Sequence, residues 1–138
     1  MTTPNARLTQ AGYSALAEFR YILRRFLEFS EESARRAGLT PRHHQALLAI
    51  KGYGRGQPIT IGELAERLRI RHNTSAELAN RLCENGLVTR SQDNEDQRRV
   101  LLQLTSLAEE RLADLSNAHV DELARIKPML ERVLAEYP

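Results

Sequence analysis

The chain is poor in residues that several classes of site require. It has a single cysteine, Cys83, so no disulfide can close within it and a zinc site built on paired thiolates is excluded. No apolar run is long enough to cross a bilayer, and the N-terminus lacks the basic-then-apolar layout of a signal peptide. The expected location is therefore the cytoplasm, with no membrane partner. There is no Gly-Lys-Ser/Thr after the glycines at 52, 54 and 56, which rules out a phosphate loop. No nucleophile elbow, metal-ligand motif or paired carboxylates occur in a recognisable context, so an enzyme is not expected and no cofactor is implied.

Lysine is also scarce, confined to Lys51 and Lys127, so arginine carries nearly all the positive charge. Arginine makes forked bonds to phosphate and guanine that lysine cannot. Codon bias in a GC-rich genome gives the same composition, and a net charge of +2 does not by itself announce a nucleic-acid binder. What is present in quantity is ordinary: 41% hydrophobic and 28% charged residues in 138 positions, enough for one domain with a real core.

Apolar residues at Tyr13, Leu16, Phe19, Leu23, Phe26 and Leu27 recur at helical spacing and predict one long amphipathic helix from Gln10 to about Arg36, ended by Gly38. Thr40-Pro41 opens a second helix with Leu47, Leu48 and Ile50 on its apolar face; Gly52, Gly54, Gly56 and Pro58 break it. Thr60 and Glu63 form a capping box for a short helix to about Leu68, with Leu64, Ala65 and Leu68 inward. Arg69 to His72 read as a turn. A further helix begins at Asn73 or Thr74, where Thr74 and Glu77 could form a second capping box, and ends at Gly86. Two short strands follow, from Leu87 to Ser91 and from Arg99 to Leu104, around a polar hairpin loop. From Thr105 the period is helical again, and Pro128 marks a kink or a break.

Two short helices across a tight turn, the second leading into a hairpin, describe a winged helix-turn-helix. The second helix would bury Leu78 and Leu82 and turn Asn73, Thr74, Glu77, Asn80 and Arg81 outward, toward a major groove. Its run Asn80-Arg81-Leu82-Cys83-Glu84-Asn85-Gly86-Leu87-Val88 resembles the recognition-helix end of the MarR family of transcription regulators. Ile61-Gly62-Glu63-Leu64-Ala65 resembles that family's first motif helix. Asp96-Gln97-Arg98-Arg99-Val100-Leu101-Leu102-Gln103-Leu104-Thr105 is similar to its wing signature, and Leu39-Thr40-Pro41 to the start of its second helix.

The resemblance implies a mainly α fold with a small two- to three-stranded β-wing and long dimerisation helices at both ends. The expected layout is an N-terminal helix over 1–38, a DNA-binding unit over 39–105 and C-terminal helices over 106–138. It further implies a homodimer that occupies a near-palindromic duplex, and a repressor that answers to a small aromatic or anionic effector. A winged-helix module that binds protein and no longer binds DNA is the alternative, favoured by the modest charge and by Glu77 on the reading face.

The candidate contact residues follow. Arg98 stands where the family inserts an arginine into the minor groove, whose negative potential attracts it; Asp96 could hold its guanidinium in a forked geometry. Arg69, Arg71 and His72 at the turn could meet phosphates or form a solvated loop. Asn73, Thr74 and Glu77 are expected near the bases; Glu77 could accept from a cytosine amino group or serve only as a cap partner. Arg81 and Arg90 complete the set. His43, His44 and Leu47 are candidates for an effector pocket; the alternative for the two histidines is plain, partly exposed helix residues. A zinc site joining His119 to His43 or His44 and one of Glu28, Glu31 or Glu32 has little support, because no paired ligand motif is present. Cys83 reads as a small packing residue more than a redox sensor.

Overall fold

A computed structural model describes residues 7–137. The first helix, α1, spans Gln10–Arg36 and is capped by Thr9, whose hydroxyl accepts from the Gly12 amide at 3.1 Å. It stops where Gly38 takes φ +78, which lets the Leu39 amide reach back to the Ala34 carbonyl at 2.9 Å. Helix α2 spans Pro41–Gly54, with Thr40 capping the His43 amide. The glycines do not break α2 as early as its sequence suggests: Gly52 and Gly54 lie within it, and the chain turns only at Arg55, φ 51. Gly54 is there for space, since a Cβ would meet Ile59 Cγ2 at 2.9 Å. Of the apolar face expected on α2, Leu47 and Ile50 are buried while Leu48 faces solvent.

Strand β1 (Ile59–Thr60) leads directly into α3 (Ile61–Leu68). Both limbs of the capping box form: Thr60 Oγ1 accepts from the Glu63 amide and Glu63 Oε1 accepts from the Thr60 amide, each at 3.0 Å. We expect Thr60→Ala to lower the unfolding free energy by about 0.5–2 kcal/mol, read by urea denaturation, because the Glu63 amide at the helix start loses the hydroxyl that accepts from it. Leu64 and Ala65 point inward as expected, with Leu68 half-buried. Helix α4 spans His72–Glu84, starting one or two residues earlier than its polar sequence predicts.

Strands β2 (Val88–Gln92) and β3 (Val100–Leu104) form the hairpin, with Val88 opposite Leu104 and Gln92 opposite Val100. β1 adds to the other edge of β3, giving an antiparallel order β1-β3-β2. Helix α5 then runs unbroken over Ser106–Leu134, with Pro128 inside it. The expected break is absent because buried residues lie on both sides of the proline: Ile126 and Val133 pack with Ala15 and Ile22 of α1. The lost backbone bond is thus tolerated within a well-packed seam.

Two apolar clusters result. The larger joins α2, α3, α4 and the sheet, through Leu47, Leu64, Leu82 and Leu102, to the first half of α5 at Ala108, Leu112 and Leu115. The smaller joins α1 to the second half of α5. The apolar seam of α5 is therefore not all left for a neighbouring copy. Leu112, Leu115 and Ile126 are covered within the chain, whereas Val120, Leu123 and Leu134 are not.

Candidate nucleic-acid interface

Helix α4 is held down by one side and open on the other. Leu78, Ala79 and Leu82 are buried. Ser75, with no exposure, donates its hydroxyl to the Ile61 carbonyl at 2.8 Å and so locks α4 across the start of α3. With positions 75, 78, 79 and 82 inward, the opposite face carries Asn73, Glu77, Asn80 and Glu84, all exposed. Thr74 and Arg81 flank that face.

The start of α4 corrects the capping expected from sequence. Arg71 occupies the cap position with extended backbone and makes no side-chain cap bond. Thr74 and Glu77 lie inside the helix and form no capping box. The first amides of α4 are therefore not closed by a side chain, and anions are favoured at such an end. Arg71 and His72 are exposed beside it. Arg69 terminates α3 in the left-handed region, φ 56, with its guanidinium on Glu66 at 3.0 Å.

The wing tip is a compact set of turns. Asp93 Oδ1 accepts from the Glu95 amide at 3.0 Å, and the Arg99 amide closes onto the Asp96 carbonyl at 3.0 Å. Asp96 does hold Arg98, but not with both carboxylate oxygens. One oxygen, Oδ1, accepts from the Arg98 amide at 3.0 Å and from its Nε at 3.2 Å. These two bonds, the backbone one first, keep the Asp96 carboxyl below the usual carboxylate range. The Arg98 side chain remains 92% exposed, so its fork is fixed at the base and free at the end.

Two further residues, not identified from the sequence in these roles, position this surface. Arg90 of β2 donates to Asn80 Oδ1 and links the hairpin to the open face of α4. Asn80 and Arg90 are thus already engaged with each other, and only their remaining polar atoms face outward. Arg99 lies between Asp93 of the wing, at 3.6 Å, and Glu63 of α3, at 3.8 Å. Neither pairing has a local sequence signal, since the partners meet only through the sheet.

Arg81 stands on the α2 side of α4, near His43. Burial and then the Arg81 charge push the His43 imidazole below its ordinary pKa. The three candidates for an effector pocket are not gathered around an open cleft. Leu47 has no exposure, and His44, expected to be partly exposed, is buried at 4%. His119 has both ring nitrogens occupied, by the Leu115 carbonyl at 2.7 Å and Ser30 Oγ at 2.9 Å. Among the described residues no three potential ligands gather to hold a metal ion. Cys83 packs half-buried against the main core, and burial raises its thiol pKa, with Arg90 opposing. The thiolate is disfavoured there, which suits a packing residue.

Residues 37–99 match the sequence model of the MarR family. Among curated proteins no sequence matches the chain. Solved structures match it over nearly the full length. A MarR family protein from Bacillus stearothermophilus shares 22% identity over 94% of this chain and 95% of its own, with a TM-score of 0.76. AbsC, a MarR family transcriptional regulator from Streptomyces coelicolor, shares 18% over 95% and 99%, with a TM-score of 0.71. A mutant of MepR from S. aureus, bound to an oligodeoxyribonucleotide, shares 20% over 94% and 98%, with a TM-score of 0.66. The family resemblance read from the motifs and the mainly α winged-helix fold are both borne out. Among the described residues no helix is long and apolar enough to cross a membrane.

Proposed function

Because residues 37–99 carry the MarR family pattern and the whole chain has the fold of its regulators, we propose that this protein is a sequence-specific, duplex-DNA-binding transcription regulator that works as a homodimer in the cytoplasm. The observation that carries the reading is the open face of α4 beside the exposed Arg98. In this reading Asn73, Thr74 and Glu77 approach base edges. Arg71, His72 and the unclosed amides of α4 take phosphate, and Arg98 enters the flanking minor groove. Arg69, Arg81 and Arg90 lie at the edges of this surface as supporting contacts. MepR, with a similar fold, has been captured on an oligodeoxyribonucleotide.

A dimer is supported by what the chain leaves uncovered. Leu16, Leu23 and Leu27 on α1, and Val120, Leu123 and Leu134 on α5, are all exposed; Leu27 is 58% and Val120 62% accessible. Apolar stripes on long helices of this kind mark interaction surfaces. A two-fold pairing through them would set two copies of α4 about 34 Å apart, one helical turn of DNA. Leu27→Glu should convert the dimer to monomer in sedimentation equilibrium, since burying one leucine contributes roughly 1.5–3 kcal/mol and each two-fold interface contains two.

The reading extends to repression by occupancy, relieved when an effector binds one spacing of the two wings better than the other. Selection of bound sequences from random duplex DNA tests the core of it. A near-palindrome with half-site centres about 10–10.5 base pairs apart is the expected result. Recovery of no enriched sequence would overturn it.

A further inference from the structure

A half-buried polar cluster, with His44 its one fully covered member, sits where α1, α2 and α5 meet, between the two apolar cores. His44 of α2 faces His119 of α5 with ring centroids 5.1 Å apart. Phe26 and Phe29 of α1 present their rings edge-on to His119 at 5.9 and 5.3 Å. The Leu115 carbonyl can only accept, so Nδ1 of His119 carries a proton. Nε2 accepts from the Ser30 hydroxyl when the ring is neutral and donates to it when the ring is charged. His119 therefore keeps both partners in either state. His44 has no such provision: among the described residues no carboxylate pairs with it and its charged form would face the other imidazole.

We propose that His44 and His119 form an acid-sensitive joint between the winged-helix segment and the α1–α5 pair, closed when His44 is neutral and opened by its protonation. The groups around the joint are few. From α1 come Ser30 and the two phenyl rings, from α5 His119, and from α2 itself His43, which feels Arg81 of α4. α2 and α5 are also tied by the exposed Lys51–Glu109 ion pair at 2.6 Å and by the apolar cluster that holds Leu47 with Ala108, Leu112 and Leu115. Burial, and then His119, push His44 below the ordinary histidine value. The open form takes up the proton first as pH falls. The closed form is thus favoured above the ordinary histidine pKa and loses ground beneath it. Opening moves α2, and with it α3 and α4, relative to the long helices. Its effect on DNA rests on the function proposed above; the opening itself does not.

The test uses the full chain with His72→Gln as background, because an imidazolium at the DNA face would act in the opposite sense. Affinity for a selected duplex and hydrogen exchange across α2 and α5 are compared at about pH 7.5 and about pH 5.5, the range in which histidine switches. The expected result is a loss of affinity of about tenfold or more in acid, within the usual size of coupling between sites. Amides at the α2–α5 seam exchange faster at the same time. His44→Gln, or the volume-filling His44→Phe if that variant folds better, removes both responses. An acid response that survives either substitution, or seam exchange that does not change with pH, overturns the joint. If no duplex is bound at any pH yet the exchange response appears and is lost in His44→Gln, the joint stands and the DNA reading falls.

Discussion

Arg98→Ala is expected to weaken operator binding by about 10- to 100-fold per protomer, the equivalent of a charge-assisted hydrogen bond lost from a desolvated groove. The effect should appear in affinity and not in folding. The Arg98 side chain is almost wholly exposed, and its one partner among the described residues, Asp96, is also held by the Arg98 backbone amide, which the substitution leaves in place. Thermal unfolding of the variant should therefore match the parent, while a band shift on the selected duplex shows the loss. Arg98→Lys should recover little, because a lysine cannot reproduce the planar guanidinium or its Nε contact with Asp96. An unchanged affinity would remove the wing from the mechanism.

Leu82→Ala should be the most damaging single change to the scaffold. Leu82 lies on the buried face of α4 with no exposure, between α3, the hairpin and the core below. Truncating a fully buried leucine costs about 2–5 kcal/mol, depending on how far the cavity collapses. That is a large share of a stability of about 5–15 kcal/mol, so urea unfolding should shift strongly or the variant fail to accumulate. Leu48→Ala is the matched control. It makes the same chemical change on an exposed face of α2 and should stay within about 0.5 kcal/mol of the parent. If Leu82→Ala behaved like Leu48→Ala, α4 would not be anchored as described.

What could be read from sequence was what local chemistry determines. Thr40-Pro41 and the Thr60–Glu63 pair start helices because caps act within one turn, and Gly38 and Gly86 end them because those positions need positive φ. The order of helices and hairpin, and with it the exposed face of α4, followed from these signals and from period. What was missed depends on partners distant in sequence. β1 is two residues long and exists only because Ile59 and Thr60 pair with Leu102 and Leu101. The start of α4 was misplaced because Ser75 is drawn into the core by the Ile61 carbonyl, which fixes the helix one or two residues ahead of its polar cap candidates. Pro128 suggested a break that packing against α1 does not allow. The Asn80–Arg90 link and the Arg99 bridge belong to the same class. His44 was expected to be partly exposed; nothing in its neighbours announces that α5 covers it.

The salt dependence of binding to the selected duplex bears most directly on whether α4 and the wing lie on DNA. If two copies together neutralise six to ten phosphates, affinity should fall by about 10³- to 10⁵-fold between 50 and 200 mM salt. A flat profile would contradict the account and favour a winged-helix module built to hold protein, and equal binding to that duplex and to unrelated DNA at every salt concentration would contradict its sequence specificity.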